Sequence, residues 1–366
     1  MSELVSQMKH PPDISKPRWD QSTFAGRARH FFVTTNPLNL FISRKRLEEA
    51  KKVVLDYKQE HKVPEKLTLD ELWHAKQIFD SAYHPTTNEL MILPGRMSCQ
   101  VPGNMLLTGG MLTFYKSPSA VIFWQWLNQS FNAVVNYTNR SGDSVSNKIL
   151  ATSYVCATSA AVTAALGLNS LVKSMSPFIG RLVPFCAVAA ANAINIPLMR
   201  SKELIDGIAI YDENGNQVAT SKKVARIAII NVTISRIGMA TPSFCFIPVL
   251  MNQIVKTSWY QKRPWVSAPI QTVAAGFILT FATPLCCAIF PQLSSIETKY
   301  LEPEVRNEIN KLRNPPERVY YNKGLNHTLI FGKAEVHHRI QCKEHLPILN
   351  DTKHQNAIID SILTKF

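Results

Sequence analysis

The residues best placed to do chemistry in this chain are amides. Asn128, Asn132 and Asn136 follow one another at intervals of four within WQWLNQSFNAVVNYTNR. On a helix that spacing keeps three carboxamides on one stripe, drifting by about 40° per step. A second pair, Asn192 and Asn195, stands beside Ala189, Ala190 and Ala191 in AAANAINIPLMR. Arg236 is the one cation deep in the apolar stretch IAIINVTISRIGMATP. Carboxamides both donate and accept hydrogen bonds, and a guanidinium matches a carboxylate. Two uses fit this set. The amides can bond across closely approaching membrane helices as interhelical glue. Alternatively they line a polar cavity for a small zwitterion, with Arg236 facing its carboxylate and the amides its ammonium and hydroxyl. Arg236 is equally suited to snorkelling or to bonding backbone carbonyls.

Other chemistries lack their residues. All ten histidines lie outside residues 97–296, so no histidine pair can hold haem or metal there. The uncharged runs contain no Asp or Glu, which removes a carboxylate proton relay. No P-loop, G-x-S-x-G, H-E-x-x-H or C-x-x-C motif occurs. His338, Cys342 and His345 could approach one another near the C-terminus, but a zinc site needs a fourth ligand that is not evident. No metal, cofactor or enzymatic activity is expected.

The elements that must position these groups follow from charge. Residues 97–296 carry 19 charged side chains in 200 positions, whereas the other 166 positions carry 47. Uncharged runs span Met97–Tyr115, Ser117–Asn139, Ile149–Val172, Leu182–Met199, Ile237–Val255 and Pro264–Ile296. A membrane helix needs roughly 17–25 mostly apolar residues, and each run clears that lower bound. Soluble helices need a wet face, so six such runs favour a bilayer over a buried core. Trp124, Trp126, Tyr137, Trp259, Tyr260 and Trp265 sit near run ends, where interfacial aromatics belong. The expected fold is an all-α polytopic membrane protein with about five transmembrane helices. The run from Ser117 to Asn139 is expected to be an additional amphipathic segment. Loop charge does not settle the orientation.

Residues 1–96 read as a soluble helical region. Ser43 can cap a helix through RKRLEEAKKVVLDYKQEH, with Leu47, Ala50, Val54 and Tyr57 on one face. Thr68 and Glu71 form a capping box ahead of a second helix, which stops before Pro85. Asn214-Gly215, between IAIY and QVAT, signals a small two-residue β-hairpin projecting from a loop. Residues 297–366 read as a C-terminal tail. The net charge of +14 comes without a basic block interleaved with stacking aromatics, so nucleic acid is not an expected partner. Seven cysteines, six in apolar runs, read as buried thiols rather than a disulfide framework. MSELVSQMKHPPD has no apolar h-region and reads as no secretory signal.

Several stretches resemble the sideroflexins, a family of the mitochondrial inner membrane. They are PRWDQSTFAGRARHFF (17–32), FWQWLNQSFNAVVNYTNRSGD (123–143), RLVPFCAVAAANAINIPLMR (181–200), FATPLCCAIFPQ (281–292) and VYYNKGL (319–325). RSGD, SAPIQ and FATPLCC are most similar to the serine-transporting members. The resemblance implies a multi-pass inner-membrane carrier of serine, and of alanine or cysteine, that feeds one-carbon metabolism. The alternative is a membrane scaffold or assembly factor that transports nothing. The family's H-P-D-T-G-E element stands here as His84, Pro85, Thr86, Thr87, Asn88 and Glu89, with Thr for its Asp and Asn for its Gly. Residues 326–366 have no recognised family counterpart.

Overall fold

A computed structural model describes residues 4–5, 12–60, 67–84, 87–115, 117–139, 147–171 and 182–323. The N-terminal region begins with α1 (Phe24–Thr34), α2 (Arg44–Glu60) and α3 (Leu69–Ala82). The Ser43 hydroxyl accepts from the Arg46 N–H at 3.4 Å at the start of α2. Ahead of α3, the Thr68 hydroxyl accepts from the Glu71 N–H and the Glu71 carboxylate accepts from the Thr68 N–H at 2.9 Å. The 3.6-residue period then places Leu47, Ala50, Val54 and Tyr57 against Leu72, Ile78 and Phe79 in a separate apolar core.

α4 (Gln100–Phe114), α5 (Pro118–Thr138), α6 (Asn147–Leu171) and α7 (Val183–Met199) come next. A short α8 (Ser201–Asp206) leads into β1 (Ile208–Tyr211) and β2 (Gln217–Ser221). The chain continues through α9 (Lys222–Ile254), a turn α10 (Ser258–Gln261) and α11 (Ser267–Ile289). β3 (Leu293–Glu297), α12 (Pro303–Asn310) and β4 (Arg318–Asn322) complete the described chain.

Three helical stretches are long and apolar enough to cross a bilayer: Lys148–Leu168, Lys222–Ile254 and Pro264–Ile289. This is fewer than the expected five. The run from Met97 begins with a 3-10 turn (Met97–Cys99), so α4 keeps only 15 residues, about 22 Å of rise. α7 has 17 residues, and α5, though 21 long, is diluted by its amides. Lipid-facing surface is clearest on α11. Val273, Phe277, Phe281, Leu285 and Ile289 recur every four residues and are all exposed. Such an apolar stripe would be a liability in water. Trp265 is 72% exposed at the start of this stretch, at a level suited to an interface.

Small residues set the helix approaches inside the bundle. A Cβ on Gly109 would lie 2.7 Å from the Thr272 Cα, so α4 and α11 meet backbone to backbone there. Gly110 receives the Trp124 ring of α5, to which its Cβ would come within 2.0 Å. Between helices, Gln271 donates to the Thr113 hydroxyl at 3.1 Å, and the Ser235 hydroxyl donates to the Cys286 carbonyl at 2.6 Å. These are the glue contacts the amide-rich composition allows.

The expected hairpin is present, but it does not project alone. β1 and β2 belong to a four-stranded antiparallel sheet in the order β2-β1-β4-β3. The fold is therefore mostly helical with a small sheet, not all-α. The β1–β2 connection is also longer than two residues. Asp212 Oδ1 accepts from the N–H groups of Asn214 and Asn216, and Gly215 takes φ +81°. The sheet packs on the first turns of α9, where Val224 and Ala228 join Ile210, Val319 and Tyr321 in a second core. At 33 residues α9 is about 50 Å long, so its sheet-bound end extends past a hydrocarbon layer of about 30 Å. Glu302 bridges the two units, accepting from the Lys223 N–H at 2.6 Å and the Ser221 hydroxyl at 2.7 Å. Burial alone would raise its carboxyl. These bonds at the α9 N-terminus outweigh burial and hold it below the usual range.

Among the described residues six cysteines are free, and none is fully buried: Cys186 is exposed and the others are half-buried. The apolar surroundings expected for them are those of a lipid-facing bundle rather than a sealed core.

Candidate functional site

A cleft opens between α5, α6 and α7. Its walls are Gln129, Ala133 and Asn136 from α5, Leu150 and Tyr154 from α6, and Asn195 and Met199 from α7. The cavity itself is about 10 Å³, room for about one water molecule. The three α5 residues sit at i, i+4 and i+7, one face of a helix turning at 3.6 residues. At its edge, the hydroxyls of Ser130 and Tyr154 are 3.0 Å apart.

Two of the amides expected from the sequence, Asn136 and Asn195, meet in this cleft. The others are placed differently. Asn128 is buried, and its Nδ2 has no hydrogen-bond partner among the described residues. Asn132 is half-buried and outside the cleft wall. Asn192 donates to the Val188 carbonyl of its own helix at 3.1 Å. Arg236 is half-buried on α9, within electrostatic range of Cys287, and does not line the cleft. Gln129 and Tyr154 are cleft residues that the four-residue ladder passes over. An i, i+4, i+7 template on the same segment finds Gln129, Ala133 and Asn136.

Among the described residues the cleft wall carries no carboxylate, ammonium or guanidinium. Each of its amides offers two N–H donors and a carbonyl acceptor. The Gln129 side chain is 3% exposed, and its Nε2 has no partner among the described residues. A buried amide left in that state costs about 1–3 kcal/mol, which a ligand acceptor would relieve. Asn195 faces it from α7, 7% exposed. Such a wall offers hydrogen bonds without a formal charge.

The family element near residue 84 makes a turn. The His84 N–H donates to the Glu89 carbonyl and the Asn88 N–H to the His84 carbonyl, both at 2.9 Å. The His84 Nδ1 accepts from the Thr87 N–H at 3.3 Å. Glu89 is exposed, and Pro85 lies outside the described residues. So do His338, Cys342 and His345.

A bundle of apolar-faced helices, three of them long enough to cross a bilayer, defines a helical membrane protein. The sideroflexin profile matches residues 13–325. The chain is 57% identical to Sideroflexin-1 of Sus scrofa over 318 residues, which cover 86% of this chain and 98% of that protein. It is 54% identical to Sideroflexin-1.1 of Caenorhabditis elegans over 89% of this chain and 100% of that protein. Identity is also 54% with Sideroflexin-3 of Rattus norvegicus, over 86% and 98% respectively. The chain belongs to the sideroflexin family. No solved structure gives a significant match.

Proposed function

We propose that this sideroflexin carries small neutral amino acids across the mitochondrial inner membrane, serine first among them, with alanine and cysteine as further substrates. Serine delivered this way would supply one-carbon metabolism. The observation that carries the reading is the meeting of Gln129, Asn136, Tyr154 and Asn195 in a cleft whose described lining bears no charge. The apolar outer faces of the bundle support a position for that cleft within a bilayer. On this reading α4, α6, α7, α9 and α11 make five crossings, the short α4 and α7 being matched by local thinning of the bilayer. α5 contributes the amphipathic face. Purified protein in liposomes should take up labelled serine. Asn195→Leu should lower uptake by about tenfold while the protein level holds, a loss of one charge-assisted hydrogen bond. Wild-type vesicles that accumulate no more serine than empty ones would refute the reading.

The separate core of the N-terminal region favours a second reading, a scaffold for an inner-membrane complex. The exposed side of α2 carries Arg44, Lys45 and Lys52 beside Glu48 and Glu49. Reversing these three charges should then release co-purifying proteins in mild detergent without altering serine uptake. Complexes that survive the reversal would remove this reading.

A further inference from the structure

We propose that the turn between α9 and α11 is a binding site for an anionic phospholipid. Lys256, Lys262 and Arg263 take the lipid phosphate, and Trp259 and Trp265 lie against the glycerol and the first acyl carbons beneath it. The site is independent of what the protein carries.

The turn stands at one end of the bundle, and that end differs in charge from the other. Leu112 of α4, Met251 of α9 and Ala275 of α11 pack together there. One helical turn on from Leu112, Tyr115 joins Val121 of α5, Ala165 of α6 and Ala187 of α7, so the same end gathers the remaining helix termini. The three connections that leave it, 115–117, 172–182 and 255–266, hold Lys116, Lys173, Arg181, Lys256, Lys262 and Arg263 and no Asp or Glu. Every described carboxylate lies in the N-terminal region, in α8 or in the β1–β4 unit. Those parts join the bundle at its opposite end, where Arg27 reaches the Ala288 carbonyl and Lys323 the Phe290 carbonyl.

The turn is held in shape while its polar groups stay outside. Gln261 N–H donates to the Thr257 carbonyl at 3.1 Å, Arg263 N–H to Tyr260 at 2.8 Å and Val266 N–H to Arg263 at 3.1 Å. Tyr260 packs on the cluster around Ile247 and Ala275, and Val266 is buried. Lys256, Lys262 and Arg263 are exposed, and no carboxylate among the described residues pairs with them. Trp259 and Trp265 are exposed beside them.

The flanking helices set the depth. On α9 the exposed apolar residues Phe246, Val249 and Leu250 lead up to Val255, which directly precedes Lys256. On α11 the lipid-facing stripe begins at Val273, about 12 Å of helix rise beyond Trp265. The cations therefore stand where hydrocarbon gives way to headgroups, and the anion present at that level is a phosphodiester. Lys and Arg give phosphate charge-assisted hydrogen bonds, and tryptophan rings suit the zone just below. A soluble anion could use the cations but would leave the tryptophans without a role.

Lipid binding to full-length protein in neutral detergent tests the site. The probes are phosphatidylglycerol and phosphatidylcholine with brominated acyl chains, read by quenching of tryptophan fluorescence. Phosphatidylglycerol should bind about tenfold or more tightly than phosphatidylcholine, each cation near an anionic headgroup contributing up to about fivefold. Combined Lys256→Gln, Lys262→Gln and Arg263→Gln should bring that ratio below about threefold, and Lys262→Gln alone should lower it about threefold. Removing as many charges at the far end of α9, by Lys222→Gln, Lys223→Gln and Arg226→Gln, should leave the ratio within about twofold of wild type. Equal losses from the two triple variants would show a diffuse effect of net charge and overturn the site, as would a wild type that does not distinguish the two lipids. Raising salt from about 0.05 to 0.5 M should weaken the preference in wild type, with no variant involved. A preference indifferent to salt would assign it to the acyl chains and overturn the role of the cations. Glycerol 3-phosphate at equal concentration should not displace the lipid. If it does, the turn binds soluble phosphate and the lipid assignment falls.

Discussion

Arg27 donates from Nε to the carbonyl of Ala288 at 2.7 Å, joining residues 261 apart in sequence. Its Nη1 donates to the carbonyls of Gln21 and Ser22 at 3.0 and 2.8 Å. One buried guanidinium therefore ties α1 and the loop before it to the last carbonyls of α11, where a cation also suits the helix dipole. Phe32 on Phe281 extends the seam by a ring contact. The opening family stretch, residues 17–32, is thus a docking helix for the end of the bundle.

Arg27→Met should cost about 2–4 kcal/mol, because the carbonyls of Gln21, Ser22, Ala288 and Ile289 lose a charged donor in a buried site. Arg29, two residues on, is exposed, and Arg29→Met should stay within about 0.5 kcal/mol. Thermal melting of the two variants in one detergent compares them. Equal melting temperatures would show that α1 docking does not depend on Arg27.

Asn88 replaces the family's glycine and is the one non-glycine residue with positive φ among the described residues, at +54°. Asn tolerates the left-handed region better than most side chains, which explains why this departure is compatible with the turn. Its carbonyl accepts from Lys51 Nζ at 2.8 Å, so the turn also anchors α2. Asn88→Gly should change stability by less than about 0.5 kcal/mol, whereas Asn88→Val should cost about 1–2 kcal/mol. Denaturant or heat unfolding of both variants reads the difference. Equal stability of the valine and glycine forms would mean that the turn relaxes out of this conformation.

Gly109 and Gly167 make a matched pair for the packing of the bundle. At Gly109 a new Cβ meets the backbone of Thr272, which cannot rotate away, so α4 and α11 must separate. At Gly167 nothing lies within 4 Å. Gly109→Ala should destabilise by about 1–3 kcal/mol as an overpacked contact. Gly167→Ala should be neutral or stabilising by up to about 1 kcal/mol through helix propensity. Melting curves of the two in detergent decide the order, and a Gly109→Ala protein as stable as Gly167→Ala would contradict the close approach.

What the sequence disclosed depended on how local each signal was. The α2 face and the Thr68–Glu71 box are read within one or two helical turns, and both are realised. The sheet is different. IAIY at 208–211 pairs with a strand more than a hundred residues later through Tyr211 and Tyr320. No local pattern announces such a partner, so VYYN reads as tail. Apolar run length and helix length differ for a related reason: a run counts residues and does not see the 3-10 turn that shortens α4. In the cleft, the amide ladder identified α5 as a polar helix but not its inward side. That side is set by α6 and α7, which admit Gln129 and Asn136 and leave Asn132 outside.

Lys323 forms a basic cluster with Arg27 and Arg200 near the end of α11. It is 7% exposed, its Nζ donates to the Phe290 carbonyl at 2.9 Å, and its own carbonyl accepts from Arg200 at 2.8 Å. Burial pushes its ammonium down to about 8, Arg27 and Arg200 push the same way, and Cys287 opposes them. The unfolded chain holds this proton up to about pH 10.4. Below pH 8 the group is charged in both states, and the cost of burying it is felt in full. Between about 8 and 10.4 the folded state releases the proton first, so the unfolded state binds more and stability rises with pH. Tyr321, raised by burial to about 12, works in the opposite sense, but only as pH climbs past the ordinary phenol value of 10. Comparison with Lys323→Met cancels the titrations the two proteins share from pH 8 to 10, the thiols among them, and leaves that of Lys323. The difference in melting temperature between wild type and Lys323→Met should shift in favour of wild type by several degrees across that window, as expected for a buried ammonium losing its charge. A difference that stays constant from pH 8 to 10 would show that Lys323 keeps its proton in the fold and reaches water.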